Sequence, residues 1–402
     1  MRFRHCGHTG SRSHVFAAGF AAAALLNLFG CADPTAPSDV ERAPALGGLA
    51  AATAPSFVQI SAGAYHTCGL TADHKAYCWG EGALGDLGNG DKSGRTQLAP
   101  VPVLTNLKFI SISAGVIYTC GLTGQNLAYC WGVNSSGELG DGTTTVRFTP
   151  KAVAGGRKFR QIRAGYRHTC AVDFNNVGFC WGYNASGQLG NGTTTSQSVP
   201  GRVAGTLRFL RIIPGGDHTC AVATNDRGYC WGSNSDGQLG DGTTTNRLKP
   251  VMVLGGLSFG NVVAGGRHSC GVTTGRIGYC WGRNVESQLG DGTQTQRLRP
   301  RAVTGGITLV GITTGLNHTC GIATGHVVYC WGSNEYGQLG VSSWRTAPNR
   351  VNGFFDTVIA GTIGNHTCAL NDGVAWCWGR NSSGQLGDGT QTNRSTPVRV
   401  GS

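Results

Sequence analysis

Fourteen cysteines of this chain fall into seven pairs. Cys68 and Cys78 lie ten residues apart, and the pairing recurs at Cys120 and Cys130, Cys170 and Cys180, Cys220 and Cys230, Cys270 and Cys280, and Cys320 and Cys330. Cys368 and Cys377 complete the set, nine apart. From pair to pair the interval is 52, then 50 four times, then 48 residues. Such a period marks one supersecondary unit repeated, and the unit must stack on its neighbours to bury its apolar faces.

One copy shows the grammar. Arg163 to Cys170 reads RAGYRHTC, and after a short turn Gly178 to Gly182 reads GFCWG. Tyr183 to Gly190 (YNASGQLG), a Gly-Thr-rich turn and Pro200 follow. These are short apolar runs divided by Gly, Asn, Thr and Pro, the signals of strands and turns. No window keeps a 3.6-residue apolar period over ten positions. Gly supplies 67 of 402 residues, and inside helices each would cost about 1 kcal/mol against Ala. Collagen is excluded because Gly does not recur at every third position. Nine Trp, fourteen Phe and ten Tyr exclude disorder. A unit of about four strands and about 50 residues is one blade of a β-propeller. The expected fold is all-β, a seven-bladed β-propeller with one disulfide per blade. It takes residues 56–402, with repeats near 56–105, 106–155, 156–205, 206–255, 256–305, 306–353 and 354–402.

Kelch repeats have a similar period, and this chain carries Gly155-Gly156, Gly255-Gly256 and Gly305-Gly306. A second signature points elsewhere. Cys-Trp-Gly-x-Asn-x-x-Gly-Gln-Leu-Gly-Asp-Gly-Thr is clearest from Cys230 to Thr243 and from Cys377 to Thr390, and Ala-Gly-x-x-His-Thr-Cys precedes it. Together they resemble the repeats of the regulator of chromosome condensation family, over roughly residues 57–400. The resemblance implies a seven-bladed propeller. Several positions depart from the pattern: Glu81 to Gly90 in repeat 1, Tyr118 in place of His in repeat 2, and Gly340-Val-Ser in place of Gly-Asp-Gly in repeat 6. Paired cysteines are not required by the family. Repeat 1 begins at Phe57 without a preceding Pro-Val strand, and the chain ends on an extra copy, Thr396 to Val400. The ring is therefore expected to close by pairing this last strand into the first blade.

Cys68 and Cys78 are symmetric about a turn centred on Asp73, which places them opposite one another on two antiparallel strands, at a separation that suits a disulfide. In repeat 7 the turn shortens to Asp372-Gly373, a two-residue hairpin signal, and the spacing shortens with it. Seven disulfides imply an oxidising compartment. A zinc reading through His66, Cys68 and Cys78 fails because the spacing matches no ordinary zinc module. No metal or other cofactor is expected.

The first thirty residues read as an export signal. Arg2, Arg4 and Arg12 precede an apolar run from Val15 to Phe29. Leu28-Phe29-Gly30-Cys31 resembles the lipobox of bacterial lipoproteins, which implies acylation of Cys31. Residues 1–30 are thus assigned to a signal peptide and 31–55 to a flexible, lipid-anchored tether. The expected location is the outer membrane or cell surface, with a secreted protein as the alternative. The membrane is met through the anchor only.

No catalytic set is visible. His66, His168, His218, His268, His318 and His366 recur at one position, which argues for a structural role, read as a bond to a turn. Asp141, Asp241, Asp291 and Asp388 precede Gly-Thr and read as turn acceptors. Function is expected where the repeats differ. The residues just before the His, or before its counterpart Tyr118, vary widely: Tyr65, Ile117, Arg167, Asp217, Arg267, Asn317 and Asn365. By resemblance they sit on one loop face near the central channel. One family member uses that face for exchange on a small GTPase, and a secreted bacterial relative uses it to inhibit β-lactamases. Net charge is +12, and +9 without the three signal arginines. Arg247, Arg297, Arg299 and Arg301 suit acidic partners. The expected function is non-enzymatic binding of a protein or anionic envelope glycan by a monomeric propeller. The alternative is an inhibitor of an extracytoplasmic enzyme such as a β-lactamase or protease. Nucleic acid is not expected as a partner.

Overall fold

The computed structural model describes residues 54–342 and 346–401. The signal segment, the tether and Cys31 lie outside the described residues. Seven four-stranded antiparallel sheets follow one another, each built from one repeat. In the first, the strands are Gln59–Ala62, His66–Leu70, Ala76–Gly80 and Gln97–Pro102, in that spatial order. The first strand of each blade lines the axis and the fourth is outermost. Blade 6 has the shortest outer strand, Asn349–Arg350.

The cysteines face one another as expected. Cys68 is opposite Cys78, and Cys368 opposite Cys377, with Cα atoms 4.0 and 4.1 Å apart. All seven pairs are disulfides. In blade 7 Asn371 pairs Val374 across Asp372 and Gly373, both at positive φ, which is the two-residue hairpin predicted.

The apolar core lies between blades. Cys68, Leu70, Cys78 and Leu87 of blade 1 pack on Phe109, Ile112 and Trp131 of blade 2. The same set closes the ring, where Leu370, Cys377 and Leu386 of blade 7 meet Phe57, Ile60 and Trp79 of blade 1. The expected strand exchange does not occur. Arg394–Arg399 pairs only with the third strand of its own blade, and blade 1 has its own copy in Gln97–Pro102. The Pro-Val run is the outer strand of the repeat it ends, so blade 1 lacks nothing.

A polar latch crosses each seam beside this core. His168 Nε2 lies 2.8 Å from Thr219 Oγ1 of the next blade. That hydroxyl donates to the Gln188 carbonyl at 2.8 Å, and Trp231 Nε1 donates to the same carbonyl at 2.9 Å. Because the hydroxyl proton is committed to the carbonyl, Nε2 must carry the imidazole proton. The recurring histidines therefore bond the neighbouring blade, and not a turn of their own. Blade 2 substitutes Tyr118, whose hydroxyl reaches the His168 carbonyl at 2.7 Å. The Gly that ends Gly-Gln-Leu-Gly is fixed by this latch. At Gly240, where φ is +69°, a Cβ would stand 2.7 Å from Trp281 Nε1.

Candidate functional site: the loop face

Two sets of connections emerge on one face of the ring. The first is the tight turn between strands one and two, which carries the variable residue before the latch position. The second is the long loop between strands three and four, which begins after Cys-Trp-Gly. The backbone joins them. The carbonyls of Tyr65, Ile117, Arg167 and Asp217 accept the amides of Glu81, Val133, Tyr183 and Ser233 at 2.8–3.0 Å. Those of Arg267, Asn317 and Asn365 accept the amides of Arg283, Ser333 and Arg380 over the same range. The main chain is thus uniform while the side chains differ.

Close to the axis the turns bond to one another. Tyr166 donates to the Gly215 carbonyl, Gly216 to Gly265 and Leu316 to Gly364, at 3.0–3.1 Å. Glycine is required at this crossing, since a Cβ on Gly215 would stand 2.6 Å from the Gly265 carbonyl oxygen.

Each predicted residue now has a setting. The Arg167 guanidinium stacks 4.9 Å from the Tyr183 ring centroid. Burial pushes the Asp217 carboxyl up, against the opposing pull of Arg167 and Arg267 from the blades on either side. Arg267 is exposed, with Nε 3.4 Å from Asp236 Oδ2. Asn317 lines a groove with Glu286 and Glu335. Ile117 and Asn365 are half-buried and contribute mainly backbone. Tyr65 contributes to a cluster that the sequence reading missed. Arg380 sits 5.5 Å from the ring centroids of both Tyr65 and Tyr336, uniting blades 1, 6 and 7. Tyr183 and Arg380 each follow Cys-Trp-Gly directly, at a position as variable as the one chosen. That variability was the signal available.

The outer arginines take a different role from the one expected. Arg247 Nε bonds Asp241 Oδ2 at 2.8 Å and Arg297 Nε bonds Asp291 Oδ2 at 2.7 Å, inside their own blades. Burial raises these aspartates, but bonds from Thr243 or Thr293 and the arginine outweigh it and hold each below its ordinary pKa. They are turn locks, as the Asp-Gly-Thr motif implied. Arg299 and Arg301 remain exposed.

The molecule is thus a closed ring whose frame repeats and whose loop face does not. The chain belongs to the RCC1-like family. The RCC1-like domain profile matches residues 100–402, and regulator of chromosome condensation repeats match 57–85 and 73–122. The ultraviolet-B receptor UVR8 of Arabidopsis thaliana is 34% identical over 93 residues, 23% of this chain and 21% of the receptor. The human E3 ubiquitin-protein ligase HERC2 is 38% identical over 87 residues, 21% of this chain and 2% of the ligase. The chain therefore matches only a small part of these relatives. Among solved structures, human WBSCR16 superposes with a TM-score of 0.73 at 21% identity, over 81% of this chain and 93% of that one. Prp20p of Saccharomyces cerevisiae gives 0.72 at 22% identity, over 82% and 87%.

Proposed function

We propose that this protein is a non-enzymatic binding propeller that engages a protein partner through the loop face. The observation that carries the reading is Arg380 stacked between Tyr65 and Tyr336, with Arg167 stacked on Tyr183 elsewhere on that face. Tyr and Arg are the residues in which binding hot spots concentrate, and stacking pre-orders long side chains before contact. Prp20p, which shares the fold, is described with binding properties towards Gsp1p and histones. The partner here is a different matter, because an export signal would separate this chain from such proteins. We infer an exported protein, lipid-anchored through Cys31 at the outer membrane or cell surface. The Arg-rich start, the lipobox and the seven disulfides support it.

Capture from envelope extract tests both parts. Tyr65→Ala with Arg380→Ala, and separately Arg167→Ala with Arg267→Ala, should each weaken capture by about tenfold or more. A partner retained equally by both double variants refutes the loop face. Intact mass of the mature chain should show an acylated Cys31, and an unmodified thiol there refutes the anchor.

A further inference from the structure

The first strands of all seven blades enclose an axial cavity of about 220 Å³. These strands are sheet edges, so their outward N–H groups need partners that no fifth strand supplies. At three seams a side chain of the preceding blade provides one. Ser61 Oγ accepts Ala114 N–H at 2.9 Å, Ser113 Oγ accepts Ala164 N–H at 3.0 Å, and Thr313 Oγ1 accepts Ala360 N–H at 3.1 Å.

Blade 3 carries Arg163 at this position, and a guanidinium cannot accept a hydrogen bond. Nothing is left unsatisfied, because the residue that follows in blade 4 is Pro214, which has no N–H. Ile213, Val263 and Ile359 stand at the equivalent position and accept no bond either, so Arg163 is one of several residues without the edge-bonding role and the only charged one. Its recorded bond is Nη1 to the Ile162 carbonyl at 3.0 Å, which leaves donors to spare.

The layer two residues earlier repeats the story. Gln161 Oε1 accepts Ile212 N–H at 3.0 Å, as Gln59 does for Ile112 at 3.2 Å. Blade 4 presents Arg211 there, exposed, its guanidinium without a hydrogen bond or ion pair among the described residues. Burial, and then the charge of Arg211, pushes the Arg163 pKa down. No Asp or Glu lines the cavity; the nearest carboxylate sharing a groove with Arg211 is Asp356, outside it. Two like charges lining one channel, without a counter-charge among the lining residues, repel one another, and an entering anion relieves that repulsion.

We propose that the axial cavity is a binding site for a small oxyanion, a carboxylate or a phosphate, held between Arg163 and Arg211. The cavity volume limits the ligand to a small molecule. The planar fork of arginine matches both headgroups. This site is independent of the loop face, and either reading stands if the other fails.

The test is calorimetric titration of the intact propeller with inorganic phosphate and with succinate at low ionic strength. One-site binding of at least one anion is expected, and the tighter of the two identifies the headgroup. Arg163→Ser installs the residue that blades 1 and 2 already carry, so the fold is kept; Trp fluorescence and thermal unfolding verify it. This variant and Arg211→Gln should each weaken binding by about tenfold or more, as expected for a lost charge-assisted bond. The double variant should not bind, and Arg299→Gln on the outer edge should bind like the parent. Absence of binding by both anions overturns the proposal. So does binding that survives in the double variant, or an equal loss in Arg299→Gln.

Discussion

Lowering the pH from 7.5 to 5.5 should destabilise this propeller markedly, and the latch histidines are the reason. His66, His168, His218, His268, His318 and His366 are fully buried, and burial pushes each pKa down to about 3 from an ordinary 6.5. The folded state therefore refuses protons that the unfolded chain binds. Stability is complete above pH 6.5 and falls as the pH drops towards 3. At pH 5.5 each imidazole costs on the order of 1 kcal/mol, so the six together cost several. Asp86 opposes this. Burial raises its carboxyl to about 8, so the folded state keeps a proton that the unfolded chain loses above 3.8. Its contribution is largest at low pH and offsets about 2–3 kcal/mol over the same interval. Glu138 and Asp217, also raised by burial, act in the same sense. The net loss of a few kcal/mol is a sizeable part of the stability of an ordinary domain. The locked aspartates, Asp141, Asp241, Asp291 and Asp388, do not confuse the reading, because depressed carboxylates lose their stabilisation only as the pH falls below about 4. The assay is urea unfolding followed by Trp fluorescence at half-unit pH steps, with disulfides intact. The stability slope between pH 6 and 4.5 should correspond to about four to five protons taken up on unfolding. A slope of one proton or less would refute the burial argument.

Two further variants probe the seams. Asp86→Gln restores the residue found at this latch position in blades 3 to 7 and removes a buried carboxyl whose nearest partner is His66 Nδ1 at 3.3 Å. It should stabilise by roughly 1–3 kcal/mol at pH 8 and by less at pH 5, measured by the same unfolding curves. Gly240→Ala forces a Cβ onto Trp281 at a positive φ, and should cost at least about 2 kcal/mol and expose Trp281 fluorescence; an unchanged midpoint would mean that the indole can shift.

The blade was legible because its partners are close in sequence. Cys170 and Cys180 face one another across a short turn, and the shift to nine residues at Cys368 and Cys377 independently fixed the register. Contacts across seams were less legible, since residues about 51 apart in a periodic chain share one pattern whether or not they touch. His168 was rightly read as structural, yet its partner Thr219 belongs to the next blade. The closure was misread for the same reason, because the period alone does not say whether Pro-Val begins a unit or ends one. On the loop face the search followed only the residue before the latch histidine. Arg380 and Tyr183 come from the second variable position and meet the first set only in space.

This arrangement explains how one ring tolerates so much variation at its face. At the latch position the side chain is fully buried and its proton is committed, so only His, or Tyr118 with a hydroxyl in its place, will serve. One residue earlier the backbone carbonyl is committed and the side chain is not. Tyr65, Asp217 and Arg267 all satisfy the same hydrogen bond to the following loop. Substitution there changes what the surface offers without disturbing the seam below it. The channel follows another logic. Its inner strands use a side-chain acceptor at some seams, from Ser61, Ser113 and Thr313, while Ile213, Val263 and Ile359 stand at the same position without one, so the position admits Arg163 without loss of a general bond. What sets Arg163 apart is therefore its charge, which with that of Arg211 lines a cavity that no carboxylate lines.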